Sequence, residues 1–351
     1  MKQLKLALLG FGNAGQAFAR MLLNHQEEII KNYGTEVLVT AIATGSRGNL
    51  ACPNGIDLHR ALKDLNPESA DACISPAKFT DLAALTCLTT MELVEQAEYD
   101  VLVEMTPLNI HTGQPAIKHI ESAFRRGKHV ITANKGPIAW AYRRLKNMAQ
   151  EAGVQFYYET TVMDGTPVFN LVEHTLKMAR VTEVSGILNS TTNFILEEMA
   201  SGADYDDILR RGRAMGFIEA DAAMDIEGYD AAAKITALLN VLMDAGITPD
   251  MVERKGIEGI TVEDIREAEE QGKVIKLLCR GIRMEDGSIR ATVRPEAVAK
   301  SDMLAAVNST TSVVSITTDL MKKVSIVEHE PEIEQTAYGI FGDMLRVLEG
   351  R

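Results

Sequence analysis

Apolar residues along the chain fall into short continuous runs that alternate with longer stretches of helical spacing. The short runs predict strands at residues 4–9, 37–43, 99–105, 129–132 and 154–158. Apolar residues three and four positions apart predict helices at residues 14–32, 114–127 and 138–151. Strands that alternate with helices indicate an α/β fold with a parallel, doubly wound sheet. Residues 49–98 mix short patterns with three prolines and support no assignment.

Strands follow one another more closely in the second half of the chain. Apolar runs predict them at residues 181–188, 274–283, 289–294, 313–317 and 324–327. The sequence Glu285-Asp286-Gly287 between two of them is typical of a hairpin turn. Helical spacing begins again at Ile235, and a last helix is predicted at residues 331–348. The length of 351 residues suggests two domains.

Composition excludes several classes of protein. The net charge of −13 argues against a nucleic-acid partner or an anionic membrane surface. No apolar run reaches the roughly eighteen residues of a membrane span, and the N-terminal segment is too short for a signal peptide. The four cysteines have no C-x-x-C spacing, which argues against a zinc site or a disulfide framework. We therefore expect a cytoplasmic enzyme in a reducing compartment.

The segment G-F-G-N-A-G lies directly between the first predicted strand and the first predicted helix. This is the context that the dinucleotide-binding fingerprint requires. Gly10 permits the tight turn, Gly12 lets the backbone approach a pyrophosphate, and Gly15 lets the helix pack closely. The helix N-terminus, beside Asn13 and Ala14, supplies N–H groups to the phosphates. The alternative is an ordinary strand–turn–helix connection.

The end of the second strand discriminates between cofactors. An NAD site usually places Asp or Glu here to hold the ribose 2′-hydroxyl. This chain has Thr44-Gly45-Ser46-Arg47-Gly48 instead, so no acid repels a 2′-phosphate, and Ser46 and Arg47 can bind one. The sequence therefore favours NADP, with NAD as the other possibility. The alternative is that Arg47 is a solvated loop residue.

Thr106 and Lys135 follow two later strands of the same predicted sheet. Ligands of open α/β sheets bind at the carboxyl ends of the strands. Lys135 is therefore a candidate for a site cation, with a surface position as the alternative.

The stretch from Gly216 to Lys234 concentrates acidic residues around two glycines and leads into an apolar helix. Its carboxylates are Glu219, Asp221, Asp225, Glu227 and Asp230. Asp230 falls in the first turn of the predicted helix, and Lys234 lies four residues later on the same face. The alternative is an exposed ion pair worth about 0.3–0.5 kcal/mol.

Two further loops carry polar groups. E-T-T-V-M-D-G-T-P at residues 159–167 offers carbonyls and carboxylates that could hold a monovalent cation, although an ordinary connection is the simpler interpretation. N-S-T-T-N at residues 189–193 offers amides and hydroxyls that could cap a helix or line a polar pocket.

Taken together, these motifs resemble those of the homoserine dehydrogenases over essentially the whole chain. The family signature A-x-x-x-G-[FY]-x-E-x-D-P-x-x-D-x-x-G-x-D-x-x-x-K is matched at every charged position from Gly216 to Lys234. The family element G-x-L-N-G-T-T-N-Y-I-L is similar to residues 186–196. The elements T-P, T-A-N-K-G-P and E-x-x-V-x-x-G-x-P also fall in order.

The resemblance implies an NAD(P)-dependent interconversion of L-homoserine and L-aspartate 4-semialdehyde, in threonine, methionine and isoleucine biosynthesis. It implies a Rossmann nucleotide-binding domain at residues 1–137 and an inserted α+β catalytic and dimerisation domain with a mixed sheet at residues 138–308. A C-terminal segment, residues 309–351, returns to the nucleotide-binding domain. The implied assembly is a homodimer without the regulatory domain that some relatives append.

The resemblance also implies residue roles. Lys234 transfers the proton, with Asp230 as its partner, and Lys135 reaches both cofactor and substrate. The implied nucleotide contacts include Thr106 and Gly216, and the implied substrate ligands are Glu219, Asp225, Asn189 and Thr191. An ammonium group on the substrate suits Glu219 or Asp225. Residues Glu159, Val162, Asp164 and Thr166 correspond to the family's sodium-binding loop.

The chain departs from the family pattern at three places. Ala222 replaces the signature proline, and Ser190 replaces a glycine beside the substrate. The acidic segment 328–334 replaces a glycine-rich turn that approaches the cofactor. Two other functions therefore stay open: a dehydrogenase of the same fold for another small hydroxy or oxo acid, and a catalytically idle nucleotide-binding relative. Glu219, Asp230 and Lys234 together argue against the idle relative.

Overall fold

The computed structural model of the chain describes residues 1–65, 85, 86, 88–214 and 222–350. Its strands are β1 Lys2–Leu9, β2 Thr35–Ala43, β3 Asn49–Ala51, β4 Leu85–Thr86, β5 Val101–Glu104, β6 His129–Thr132, β7 Phe156–Tyr157, β8 Val181–Ile187, β9 Glu253–Arg254, β10 Lys273–Arg283, β11 Ile289–Ala299, β12 Ser312–Thr318 and β13 Lys322–Glu328. Its α-helices are α1 Asn13–Tyr33, α2 Leu58–Asp64, α3 Thr90–Gln96, α4 Ala116–Arg125, α5 Lys135–Ala152, α6 Val168–Thr175, α7 Ser190–Ala200, α8 Tyr205–Ala214, α9 Ala223–Ile226, α10 Tyr229–Met243, α11 Val262–Glu270 and α12 Ile333–Glu349. The predicted strands and helices are present, with ends shifted by a few residues.

Packing divides the chain into two compact units. Unit 1 consists of Met1–Pro137, Ala141–Pro167 and Glu332–Arg351, and unit 2 consists of Ile138–Trp140 and Val168–Pro331. These limits differ from the predicted domains, 1–137, 138–308 and 309–351. The reason is that β12 pairs with β8, so that β12 and β13 belong to the sheet of unit 2.

The sheet of unit 1 has the strand order β4-β3-β2-β1-β5-β6-β7 in the described residues. The five strands that follow one another as β2, β1, β5, β6 and β7 pair in parallel, as predicted for a doubly wound sheet. β3 and β4 add an antiparallel edge from the region that supported no assignment. Every residue of β5 is buried, and β1 is buried from Leu6 to Leu9, because helices cover both faces of such a sheet. The carboxyl ends of β1, β5 and β6 therefore lie side by side.

Unit 2 contains a mixed sheet with the order β13-β12-β8-β10-β11-β9 in the described residues. Its pairs from β13 to β11 are antiparallel, and β9 adds to β11 in parallel. Helix α10 packs on β8, β10 and β11. Its first turns bury Ala231, Ala232 and Ala233, whose small side chains let the helix lie close to the sheet. Asp230 and Lys234 remain on the less buried side of α10.

The fold is thus the predicted one, a Rossmann-like nucleotide-binding unit and a second unit built on a mixed sheet. In the part of the chain that the structure describes, no helix combines the length and the apolarity needed to cross a membrane.

Candidate active site

The glycine-rich loop of unit 1 connects β1 to α1 and leaves the helix N-terminus open. Gly10 has a φ of +99°, and a Cβ there would lie 2.4 Å from the carbonyl oxygen of Met105. A Cβ at Gly15 would lie 2.6 Å from the carbonyl oxygen of Gly10. Gly12 is different, because a Cβ there would meet nothing within 4 Å. Gly10 and Gly15 are required by packing, whereas Gly12 faces open space.

That open space suits a phosphate group. Gly12 is the N-cap of α1, and no side chain caps the helix. The neighbouring Asn13 is exposed and Ala14 half-buried. The first N–H groups of α1 and the positive end of its dipole are therefore available to an anion. The loop fits the pyrophosphate of a dinucleotide.

The turn after β2 holds Arg47 in a fixed place. The Thr44 hydroxyl accepts a hydrogen bond from the Arg47 N–H at 2.8 Å and donates one to the Gly48 carbonyl at 2.8 Å. Asn49 Oδ1 accepts from the Thr44 N–H at 3.1 Å. The Nη1 atom of Arg47 is buried without a hydrogen-bond partner, and Ser46 is exposed beside it. This buried guanidinium nitrogen is an unsatisfied hydrogen-bond donor at the end of β2.

The carboxyl ends of β5 and β6 carry a buried carboxylate that the sequence analysis missed. Glu104 is fully buried at the end of β5. Its Oε1 accepts hydrogen bonds from the N–H and the hydroxyl of Thr106, the first at 3.2 Å. The Thr132 hydroxyl donates to Glu104 Oε2 at 3.5 Å, and His119 Nδ1 lies 3.7 Å from Oε1. Asn134 Nδ2 donates to the Thr106 carbonyl at 3.0 Å. Thr106 is thus held from both sides.

Lys135 begins α5 immediately after this cluster. Asn134 caps the helix through a hydrogen bond that its Oδ1 accepts from the Gly136 N–H at 2.9 Å. The backbone position of Lys135 is therefore fixed at the same sheet edge as Thr106, as the carboxyl-end rule predicted. Glu104 was assigned to an apolar strand, but a lone acid at a strand's carboxyl end was the signal that could have identified it.

The loop predicted to resemble a sodium-binding loop is irregular and tied to α12. Met163 and Asp164 have positive φ values of 58° and 47°. The Glu159 N–H donates to Asp343 Oδ2 at 3.0 Å, and the Thr336 hydroxyl donates to Asp164 Oδ1 at 3.0 Å. Backbone strain of this kind persists only where the surroundings hold it.

The oxygen atoms of the same loop suit a hard cation by their chemistry. Glu159 is buried, and the carbonyl of Val162 and the hydroxyl of Thr166 lie in the same segment. No group of three or more His, Cys, Asp or Glu side chains that could hold a metal ion occurs among the described residues. Any cation here would depend on backbone and hydroxyl oxygens as well as carboxylates.

In unit 2, Lys234 and Asp230 form the start of a polar array. Lys234 Nζ donates to the Leu188 carbonyl at 2.8 Å and lies 3.1 Å from Asp230 Oδ2. The two side chains are 23% and 14% exposed, which distinguishes them from a solvated surface pair. Asn189 Nδ2 donates to Asp230 Oδ2 at 2.9 Å and to Asp225 Oδ1 at 2.6 Å. The array therefore joins α10, α9 and the start of α7.

The N-S-T-T-N segment forms the first turn of α7. Asn189 is its N-cap and accepts a hydrogen bond from the Thr192 N–H at 2.9 Å. Thr191 is buried in the same turn, and Ser190 is half-buried. Helix capping, one of the two roles predicted for this segment, is thus observed.

Asn193 of this segment forms a hydrogen bond with a buried lysine, Lys276, that the sequence analysis missed. Lys276 Nζ donates to Asn193 Oδ1 at 2.8 Å and to the Val307 carbonyl at 2.6 Å. Burial lowers the pKa of Lys276, while the carboxylate of Glu197 acts in the opposite direction. Lys276 lies within β10, where the strand pattern of the sequence does not distinguish it from an exposed lysine. Only its tertiary contacts identify it as buried. It anchors α7 to the segment around Val307.

Cys279 lies beneath the array and is inert. Its Sγ is 3.9 Å from the Ala231 carbonyl, and the residue is fully buried. Burial raises the pKa of the Cys279 thiol to about 12, although the charge of Lys234 acts in the opposite direction. The thiol is protonated at neutral pH and is no nucleophile.

The remaining parts of the predicted site are two residues outside the described part of the chain, Ala222, and the acidic segment 328–334. Gly216 and Glu219 lie outside the described residues. Ala222, in place of the family's proline, is the N-cap of α9, and its carbonyl accepts from the Asp225 N–H at 3.1 Å. In the acidic segment, Glu332 forms a capping box with Gln335 at the start of α12. Glu332 thus has a structural use that does not require a cofactor.

Two family models match the chain. One is described as homoserine dehydrogenase and matches residues 167–345. The other is described as homoserine dehydrogenase, NAD binding domain, and matches residues 10–159.

Individual relatives match over almost the full chain. A protein of Pseudomonas canavaninivorans named NAD(+)-dependent homoserine dehydrogenase is 32% identical, over 99% of this chain and 97% of the relative. Homoserine dehydrogenase of Methanocaldococcus jannaschii is 35% identical, over 97% of this chain and 98% of the relative. The crystal structure of a putative homoserine dehydrogenase from Archaeoglobus fulgidus superposes with a TM-score of 0.83 and 30% identity, over 98% of this chain and 99% of that one.

Proposed function

The chain belongs to the homoserine dehydrogenase family of nucleotide-dependent oxidoreductases of amino-acid biosynthesis, and on that premise we propose that it interconverts L-homoserine and L-aspartate 4-semialdehyde. The observation that carries the proposal is the array of Lys234, Asp230, Asn189 and Asp225. It provides a lysine amine for proton transfer and carboxylates for an amino-acid ammonium group.

Unit 1 binds the nucleotide in this proposal. The N–H groups at the start of α1 hold the pyrophosphate, and Gly12 leaves the room for it. Thr106 and Lys135 approach the nicotinamide end from the carboxyl edge of the sheet, with Glu104 fixing Thr106. When bound, the nicotinamide supplies the acceptor or donor of hydride.

Unit 2 performs the proton chemistry. The neutral amine of Lys234 takes the proton of the homoserine hydroxyl as homoserine is oxidised, and the resulting ammonium returns it in the reduction direction. Asp230, 3.1 Å away, and the Leu188 carbonyl orient the amine. Asp225 binds the substrate ammonium together with Glu219. Thr191, in the first turn of α7, is the remaining substrate ligand of the proposal.

NADP is the preferred cofactor in this proposal. The support is the buried, unpartnered Nη1 of Arg47 after β2, where the chain has no acid to hold a free ribose 2′-hydroxyl. A 2′-phosphate would provide the missing acceptor for Arg47 and Ser46. The Pseudomonas relative is named NAD-dependent, so the preference differs from that of one family member.

Replacing Arg47 by alanine is expected to weaken NADP binding at least tenfold and to leave NAD binding nearly unchanged. A charge-assisted hydrogen bond to phosphate contributes about 1.5–3 kcal/mol. Calorimetric titration of both cofactors measures the effect. Arg290→Ala, which removes an exposed arginine of unit 2, controls for the change in net charge. Equal losses for both cofactors, or none, would contradict the role of Arg47.

A monovalent cation and a homodimer complete the proposal. The cation would bind through Glu159, Val162, Asp164 and Thr166, supported by the resemblance and the oxygen atoms of that loop. Turnover that is unchanged when choline replaces sodium would contradict it. The homodimer is supported by the resemblance alone, and a monomeric mass in sedimentation velocity would contradict it.

Assays of the purified protein test the proposed function. NADP and NAD reduction is measured with L-homoserine and with a panel of other small hydroxy acids and hydroxy amino acids. We expect turnover with homoserine above all others, and faster with NADP. Preference for another hydroxy acid would indicate the alternative dehydrogenase, and no turnover with intact nucleotide binding would indicate the idle relative.

A further inference from the structure

The side-chain amide of Asn189 uses all of its hydrogen-bonding groups within the protein. It is 4% exposed, and its Oδ1 accepts from both the N–H and the hydroxyl of Thr192 at 2.9 Å. Its two N–H bonds point to Asp225 and Asp230. The orientation of the amide is fixed by chemistry, since the Thr192 N–H cannot accept a hydrogen bond and the carboxylates cannot donate one when ionised.

We propose that Asn189 is a positioning residue, which joins the carboxylates of Asp225 and Asp230 and thereby sets the place of Lys234. The assignment deepens the proposed function and rests on it, since Lys234 is the proton-transfer residue there. It replaces the role of direct substrate ligand that the resemblance implied for Asn189. An amide whose two hydrogens are already donated has none left for a substrate oxygen.

The array needs such a bridge because it brings two like charges together. Asp225 comes from α9 and Asp230 from α10, and their repulsion would separate them if nothing lay between. The Asn189 amide donates to one carboxylate oxygen of Asp225 and one of Asp230, and it thereby stabilises the ionised form of both residues.

Two adjacent residues, Leu188 and Asn189, bind the two ends of the ion pair between Lys234 and Asp230. The Leu188 carbonyl accepts from Lys234, and the Asn189 side chain donates to the Asp230 oxygen that faces Lys234. Among the described residues, Asp230 lies 3.1 Å from Lys234 Nζ, and the charge of Lys234 acts on the buried, protonated Cys279 thiol. Asn189 therefore controls how much negative charge Asp230 presents to the lysine.

Two substitutions separate this bridge from helix capping. Serine and aspartate are both good N-caps, so Asn189→Ser and Asn189→Asp keep the start of α7. Serine removes the bridge, and aspartate replaces it with a third carboxylate. Thr261→Ala is the matched control, because it removes an N-cap from α11 in the same unit without touching the array.

Both variants are expected to lose kcat by a larger factor than the KM for homoserine rises, because Asn189 positions Asp225 as well as Asp230. We expect a loss of about tenfold for Asn189→Ser and about a hundredfold for Asn189→Asp, since an interaction that orients the reacting group acts mainly on kcat. The added negative charge favours the ammonium form of Lys234. The rise of homoserine oxidation with pH should therefore move to higher pH, by about one pH unit for Asn189→Asp.

Kinetics and a second measurement decide the outcome. A higher KM with unchanged kcat would show a substrate ligand, and an effect on melting temperature alone, as in Thr261→Ala, would show a cap only; either result overturns the proposal.

The titration of Lys234 is also followed by NMR in protein labelled with 13C-lysine, assigned with Lys234→Arg. This titration needs no turnover, so it separates a failure of the bridge from a failure of the proposed function. An unchanged Lys234 titration midpoint in Asn189→Asp overturns the bridge even if homoserine proves to be the wrong substrate.

Discussion

Replacing Lys234 by alanine is expected to lower kcat for homoserine oxidation by about 10²–10⁴-fold, the usual contribution of a positioned acid–base group. The reason is that the hydroxyl proton then has no acceptor as hydride leaves. Lys234 suits this role because its Nζ is held by the Leu188 carbonyl and Asp230, and only 23% of the side chain is exposed. Steady-state kinetics over a range of pH measure the effect.

The cofactor affinity of the Lys234→Ala variant should be close to that of the wild type. The glycine loop belongs to unit 1, whereas Lys234 belongs to unit 2. Asp230→Ala should reduce kcat as well, though by less, since it orients the amine without transferring the proton.

Arg266→Ala provides the matched control for Lys234→Ala. Arg266 forms an exposed ion pair with Glu263 on α11, and such pairs are worth at most about 1 kcal/mol. We expect turnover of this variant to equal that of the wild type. Near-normal turnover of Lys234→Ala as well would mean that Asp230 and Lys234 are also an ordinary ion pair, and the catalytic assignment would be lost.

The parallel sheet of unit 1 was predictable because burial on both faces makes its strands continuously apolar. The edge strands β3 and β4 were not, since strands of three and two residues are too short to show a pattern. The same limit applies to β12. Its apolar run predicted a strand, but its pairing with β8 depends on residues more than a hundred positions away.

Local motifs located parts of the site, but not the contacts between them. The i,i+4 spacing placed Asp230 beside Lys234, and the carboxyl-end rule placed Thr106 and Lys135 at one sheet edge. Asn189 binds Asp225 and Asp230, which lie 36 and 41 positions later in the chain, so that no spacing rule reveals these contacts. Glu104 was hidden by the apolar strand that it ends.

The second large effect is expected at Gly12. Replacing it by alanine should weaken binding of NADP and NAD alike, by about tenfold to a hundredfold. The methyl group would occupy the space above the start of α1 and keep phosphate away from the helix N–H groups, and charge-assisted hydrogen bonds of this kind contribute about 1.5–3 kcal/mol. Titration with both cofactors measures the loss.

Stability distinguishes this effect from damage to the fold. Gly12 has an extended backbone that alanine adopts readily, and its Cβ would meet nothing within 4 Å, so we expect an unchanged melting temperature. Gly10→Ala is the contrasting variant. Its φ of +99° and the Met105 carbonyl at 2.4 Å from the new Cβ should lower the melting temperature by several degrees. If Gly12→Ala binds both cofactors normally, the open space above α1 is not the pyrophosphate site, and the nucleotide must bind elsewhere in unit 1.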